Sequence, residues 1–373
     1  MNTPIRVGIS QGDYNGVGPE VIMRSLANPS ICELFTPVVF ADWRVIEQAR
    51  RPVEGELPPV QRINNAAEAH PGKINVVDLH LNNFNLTPGV PTPESGAAAV
   101  AALEKAVAAL KSGKIDVLVT APISKEAVQS EIFHFAGHTE YLNHHAGQEY
   151  KAQMILLDDH IRVALVTTHL PLARIPEAIT IQGITEAVAN FTRTLREDFA
   201  IERPRIAVLS LNPHCGDGGL LGDEEIRTII PAIKECISNG LLAFGPFAAD
   251  GFFGSGAYRD FDGILAMYHD QGLAPFKALA REHGVNFTAG LPFVRTSPDH
   301  GTAFDIAWTG KANPTSMREA IYKAIDIFKC RKRYAEAAAN PLKIRPQAPA
   351  RPERERNIKS VKPEEADTAE NEN

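Results

Sequence analysis

The sequence predicts an α/β fold built on a largely parallel sheet. Two observations carry this: short β-branched runs alternate with longer amphipathic stretches, and each run gives way to a polar cluster. A third bounds it, because 373 residues are enough to bury two packed domains without disulfide staples. The predicted strands are residues 5–10 (IRVGIS), 115–120 (IDVLVT), 161–168 (IRVALVTT), 206–211 (IAVLSL) and 264–268 (ILAMY). Between the first two, Ser95 is placed to cap a helix. Its apolar residues Val100, Leu103, Val107 and Leu110 recur at steps of three and four, and Gly113 closes it.

Composition excludes several classes. With 44% hydrophobic and 22% charged residues the chain is neither collagenous nor wholly disordered. A net charge of -7 and the lack of a basic stripe interleaved with aromatics argue against nucleic acid. No run of about 18 apolar residues and no secretory leader appear, so the chain is expected neither to span a membrane nor to be secreted. Cys32, Cys215, Cys236 and Cys330 lie far apart without a CxxC pair, which fits a reducing cytoplasm. Residues 343–373 hold seven basic and seven acidic residues and no aromatic, and are expected to form a disordered tail, either a solvated extension or an interaction element. Since those charges cancel, the net -7 belongs to the rest of the chain.

Ligands of open parallel sheets bind beyond the carboxyl ends of strands, so the clusters there are informative. The first, residues 11–20 (QGDYNGVGPE), has three glycines that permit tight turns and a proline suited to a first helical turn; it can cradle an anion or serve only as a turn. In the second, residues 120–126, Ser124 reads as an N-cap. The third, residues 137–142 (GHTEYL), brings an imidazole, a hydroxyl and a carboxylate together, a density that packing alone does not require.

Three histidines, His169, His214 and His269, each follow a predicted strand. Three neutral imidazoles from converging loops can hold a divalent ion and leave a position for substrate; the alternative is three unrelated capping or surface residues. His134, His144, His145, His160, His283 and His300 lack this context and are set aside. Lys277, Asn286 and Arg295 offer a cation, an amide and a guanidinium suited to carboxylates and phosphates.

Taken together, GDYNGVGPE at Gly12, TAPISKEAV at Thr120, GHTEYL at Gly137, NPHCGDGG at Asn212, YHDQGL at Tyr268 and GLPFVRTSPDHGTAFDIA at Gly290 resemble the 4-hydroxythreonine-4-phosphate dehydrogenase family of pyridoxal phosphate biosynthesis, up to about residue 340. HGTAFDIA and GKANP are also similar to the cofactor loop of isocitrate and isopropylmalate dehydrogenases. The resemblance implies two α/β domains with a cleft between them, 1–130 plus 296–342 and 131–295, and NAD bound without a Rossmann fingerprint, NADP being an alternative. Consistently, no GxGxxG opens a helix after a strand; Leu221 stands where a third glycine would be needed.

By the same resemblance, His169, His214 and His269 hold a divalent metal (zinc, magnesium or cobalt). His138, Thr139, Lys277, Asn286 and Arg295 contact substrate, and Gly301, Thr302 and Asp305 belong to the cofactor loop. The site is implied to be shared between the subunits of a homodimer. One departure stands out: the family's first loop usually reads Asp-Pro where this chain has Asp13-Tyr14, so a nearby contact is expected to differ. The implied reaction oxidises 4-phosphohydroxy-L-threonine at C3 and releases carbon dioxide, giving 3-amino-2-oxopropyl phosphate. Lys277 is either an anion holder or a proton-transfer group; Asp250 and Asp270 are alternative proton acceptors or partners of the imidazoles. Competing readings are a dehydrogenase for threonate or erythronate 4-phosphate, a phosphate acyltransferase on a related fold, and a non-catalytic binding protein.

Overall fold

The computed structural model describes residues 4–130 and 133–341; the tail expected at 343–373 lies outside them. Twelve strands follow in chain order: β1 (Arg6–Ser10), β2 (Thr36–Ala41), β3 (Val60–Ile63), β4 (Ile74–Asp78), β5 (Val117–Thr120), β6 (Gln153–Leu157), β7 (Arg162–Leu165), β8 (Arg205–Leu209), β9 (Leu242–Phe247), β10 (Gly263–Ala266), β11 (Val285–Ala289) and β12 (Arg295–Pro298). They form one sheet in the order β3-β4-β2-β1-β5-β12-β11-β6-β7-β10-β8-β9.

The expected parallel pairing holds through both flanks. The centre differs, because β12–β11, β11–β6 and β6–β7 are antiparallel. Two parallel blocks of opposite direction are therefore joined by an antiparallel seam. Strands such as β1, β2 and β4 are buried almost throughout, as strands covered on both faces must be.

Three local expectations need correction. Thr92, not Ser95, caps the Pro93–Lys111 helix; Ser95 sits three residues in and completes a reciprocal capping box, its hydroxyl accepting from the Thr92 amide at 3.1 Å. Ser124 caps only a turn, its Oγ accepting from the Ala127 amide at 3.2 Å, and no helix follows it. Residues 11–20 are all buried, which leaves no open anion cradle. A Cβ on Gly12 would lie 2.2 Å from the Pro122 carbonyl oxygen, so this glycine serves a close backbone approach at a φ of 68°.

The seam sets the position of the site. Asn286 stands opposite both Ser297 and Leu156, and Thr288 opposite Met154. Since alternate residues share a face, Met154, Leu156, Asn286, Thr288, Arg295 and Ser297 all point to one side of the central strands.

Candidate active site

Over that face lies a cavity of about 370 Å3. Met154, Leu156, Asn286, Arg295 and Ser297 line it from the sheet, and His138, Thr139, Glu140, His169, His269, Lys277, Asp299, His300 and Gly301 complete its wall. A wider recess of about 630 Å3 opens beside it and shares Thr139, Glu140, Met154 and His169.

Arg295 is the most constrained group in the wall. It is 2% exposed, and its guanidinium donates to Thr120 Oγ1 from Nε at 3.1 Å and from Nη2 at 2.5 Å, and to Thr288 Oγ1 from Nη1 at 2.9 Å. Both acceptors are neutral hydroxyls. Burial lowers its pKa to about 9, against a smaller opposing pull from Glu140, so it is still a cation at neutral pH. A buried cation without a bonded carboxylate is costly to the fold, and an anion entering the cavity relieves that cost.

Two polar atoms nearby have no partner among the described residues: His138 Nε2 and Asn286 Oδ1. Burial, and then the Arg295 charge, hold the His138 imidazole well below its ordinary pKa, so it is neutral. Lys277 Nζ donates to the Asp299 carbonyl and to Asp299 Oδ1, both at 3.0 Å. Burial raises the Asp299 carboxyl pKa while Lys277 pulls it down. Together these groups present two cations, an amide and a neutral imidazole to one small volume.

The rings of His169 and His269 are 5.8 Å apart on the same wall. His169 is held below its ordinary pKa by burial and then by Lys125, which leaves a lone pair free. His269 Nδ1 lies 2.6 Å from Asp270 Oδ1, and a carboxylate accepting there orients the ring with Nε2 unengaged. Asp270 is thus placed as a partner of an imidazole. His214 is placed elsewhere: it is exposed, at the start of a left-handed turn running through Gly218, and does not line the cavity. Among the described residues no three His, Cys, Asp or Glu side chains gather in a metal-holding group, so the three-imidazole set is incomplete within one chain. Asp250 is exposed on the Ala249–Gly254 helix, away from the cavity wall.

Gly301 reaches the cavity, whereas Thr302 and Asp305 lie further along the same loop, Asp305 exposed. That loop borders a second recess of about 260 Å3, lined by Val17, Val21, His300, Ala303, Ile306 and Ala312 among others. Tyr14 is wholly buried behind the loop, 5.4 Å from the Phe84 ring centre, and touches neither recess. The Asp13-Tyr14 departure therefore affects the loop's support and not the cavity wall.

The sequence profile of the family described as pyridoxal phosphate biosynthetic protein PdxA matches residues 33–324. The chain belongs to the PdxA family. A relative from Bacteroides thetaiotaomicron, named 4-hydroxythreonine-4-phosphate dehydrogenase, is 52% identical over 339 residues, covering 91% of this chain and 93% of that protein. A crystal structure of 4-hydroxythreonine-4-phosphate dehydrogenase from Klebsiella pneumoniae superposes with a TM-score of 0.76 at 36% identity, covering 88% of this chain and 99% of that one. A relative from Oceanobacillus iheyensis, provisionally named D-threonate 4-phosphate dehydrogenase, is 39% identical over 324 residues, covering 86% of this chain and 97% of that protein.

PdxA membership makes the chain a dehydrogenase of pyridoxal phosphate biosynthesis. Of the residues singled out in the sequence, one chain brings together His138, Thr139, His169, His269, Lys277, Asn286, Arg295 and Gly301. Two further wall residues are Asp299, which the sequence does not single out, and His300, which it sets aside. Burial lowers the His300 pKa, and its Nε2 is a further buried atom without a partner. Their signal was present, since both sit between Arg295 and Gly301 in a segment already marked. Glu140 was noticed only as part of a motif, yet it lines both the cavity and the wider recess.

Proposed function

We propose that the chain oxidises 4-phosphohydroxy-L-threonine at C3 with NAD, NADP being the less favoured acceptor, and then releases carbon dioxide to give 3-amino-2-oxopropyl phosphate. The observation that carries this reading is the buried Arg295 guanidinium, bonded only to hydroxyls at a cavity wall, with Lys277 close to the same volume. A substrate with a carboxylate at one end and a phosphate at the other supplies the anion that Arg295 is without and a second that competes with Asp299 for Lys277. In the balanced reaction the C3 hydrogen leaves as hydride to the nicotinamide, the hydroxyl proton passes to a base, and loss of carbon dioxide leaves an enolate that takes up a proton. Arg295 and Lys277 hold the charged ends, Asn286 and Thr139 orient the chain between them, and neutral His138 is placed to accept or share a proton at Nε2.

We assign His169 and His269 as two ligands of a divalent ion, zinc, magnesium or cobalt, with exposed His214 completing the set when two chains pair as a homodimer. When bound, such an ion supplies stabilisation for the negative charge that develops on the reacting oxygen. The 260 Å3 recess beside Gly301, Thr302 and Asp305 is the natural seat for part of the dinucleotide, being concave and largely apolar. The sheet order favours a division into 1–130 plus 296–342 and 131–295, because β1 to β5 and β12 gather on one side of the seam and β6 to β11 on the other. Among the described residues no helix is long and apolar enough to cross a membrane. Four free cysteines fit a reducing cytoplasm.

The relative provisionally named for D-threonate 4-phosphate keeps a second substrate in view. The deciding assay follows NADH formation from 4-phosphohydroxy-L-threonine and from D-threonate 4-phosphate, each with and without chelator. Faster turnover of the amino acid, lost on chelation and restored by zinc, magnesium or cobalt, is expected. Turnover of D-threonate 4-phosphate alone would overturn the substrate, and full activity in chelator would overturn the metal.

A further inference from the structure

The loop carrying Gly301, Thr302 and Asp305 contains two residues in backbone conformations that their own side chains disfavour. Ala303 has a φ of 41° and Trp308 a φ of 62°, values that L residues keep only when the surroundings hold them there. The holding groups come from the Gly18–Ser25 helix and the buried loop before it. The Trp308 amide donates to Glu20 Oε2 at 3.0 Å, Trp308 Nε1 donates to the Tyr14 carbonyl at 2.9 Å, and the Val17 amide donates to the Thr302 carbonyl at 3.0 Å. Arg24, 3.8 Å from Glu20 Oε1, donates onward to the carbonyls of Gly310 and Ala312.

Glu20 is the unexpected member of this group. It is 1% exposed, and its Oε1 accepts no hydrogen bond from the described residues. A carboxyl group is expensive to bury for packing alone, since an apolar side chain of similar size fills the same space at lower cost. Its gain lies in what it grips: an amide at the strained position of a neighbouring loop.

We propose that Glu20, acting through the Trp308 amide, is a positioning residue that holds the 301–313 loop in the shape that receives the dinucleotide. This rests on the cofactor reading given above. Glu20 touches neither cofactor nor substrate, so its loss is felt in NAD binding and not in the chemical step.

Hydrogen exchange and steady-state kinetics on the full chain test this. In Glu20→Ala, without cofactor, exchange across residues 304–314 should quicken roughly tenfold relative to the remainder of the chain. KM for NAD should rise by a similar factor, while kcat at saturating NAD and KM for the phosphorylated substrate stay within about twofold. Glu20→Gln, whose amide oxygen still accepts from Trp308, should recover most of the difference. Unchanged exchange at 304–314 overturns the proposal, as does a parallel shift of kcat and both KM values. If Glu20→Ala does not fold, Glu20→Met decides, because it fills a similar buried volume while removing the carboxylate that accepts from the Trp308 amide. A roughly threefold rise in NAD KM with faster 304–314 exchange supports the proposal, and no change in either overturns it. Adding NADH to the unmodified protein tests the cofactor reading by itself. Protection that falls on another segment and not on 300–314 would overturn that reading, whatever the Glu20 variants do.

Discussion

Two clusters of buried charge are treated differently by the fold. Beneath the first loop lie the carboxyls of Asp13 and Glu20, both pushed up in pKa by burial and gripped by backbone amides of their own chain. On the cavity wall lies the Arg295 guanidinium, pushed down by burial and bonded to hydroxyls alone. Both clusters cost stability. Only the second faces an opening of about 370 Å3 through which a compensating charge can enter. Burial of charge therefore marks a binding site here only where it coincides with an open path to solvent; enclosed charge marks support for the backbone.

The sharpest way to break that distinction is Arg295→Met. If the cationic wall serves substrate, kcat/KM for the phosphorylated substrate should fall by roughly a thousandfold, while the melting temperature holds or rises because an apolar side chain replaces an uncompensated ion. A fall in stability with turnover retained would place Arg295 with the supporting cluster instead.

Gly12→Ala should show the reverse pattern. The new Cβ meets the Pro122 carbonyl oxygen at 2.2 Å, at a φ of 68°. A cost of about 3 kcal/mol in chemical denaturation is expected, with both KM values unchanged in whatever protein folds. A substrate KM that moved while stability held would return the first loop to the role of an anion cradle.

The smallest effect is one of slope. Asp13 has a raised folded pKa, so its favourable contribution is complete below the ordinary carboxylate range and fades as pH rises through the folded value. His138 has a lowered folded pKa, so stability is lost as pH falls from about 6.5 toward its folded value. Denaturation midpoints across this range should lose the first slope in Asp13→Asn and the second in His138→Gln. If neither substitution alters the pH dependence, burial is not what separates these groups.

Much of this arrangement was legible before any coordinates. The runs containing β1, β5, β7, β8 and β10 are short, β-branched and flanked by polar clusters, which identifies them without tertiary information. β2 begins Thr36-Pro37 and β9 contains Gly245-Pro246, residues that normally argue against a strand, and both escape such a reading. The antiparallel seam is invisible for a different reason: direction is a property of pairing, and the partners of β11 are β6 and β12, the first far away in sequence. Asp299 escaped notice because its meaning comes from Lys277, 22 residues earlier. His214 looked equivalent to His169 and His269, since all three follow strands; the left-handed turn that carries it into solvent depends on a run of positive φ values that residue identity alone does not reveal.

The sheet runs unbroken from β3 to β9, so the two halves of the molecule are stitched by backbone hydrogen bonds and not by a tether. Any opening or narrowing of the crevice has to be absorbed as torsion in β12, β11 and β6, the strands that floor it. A ligand seated there rests on the same strands that join the halves, so its binding and the cohesion of the sheet share one set of backbone bonds.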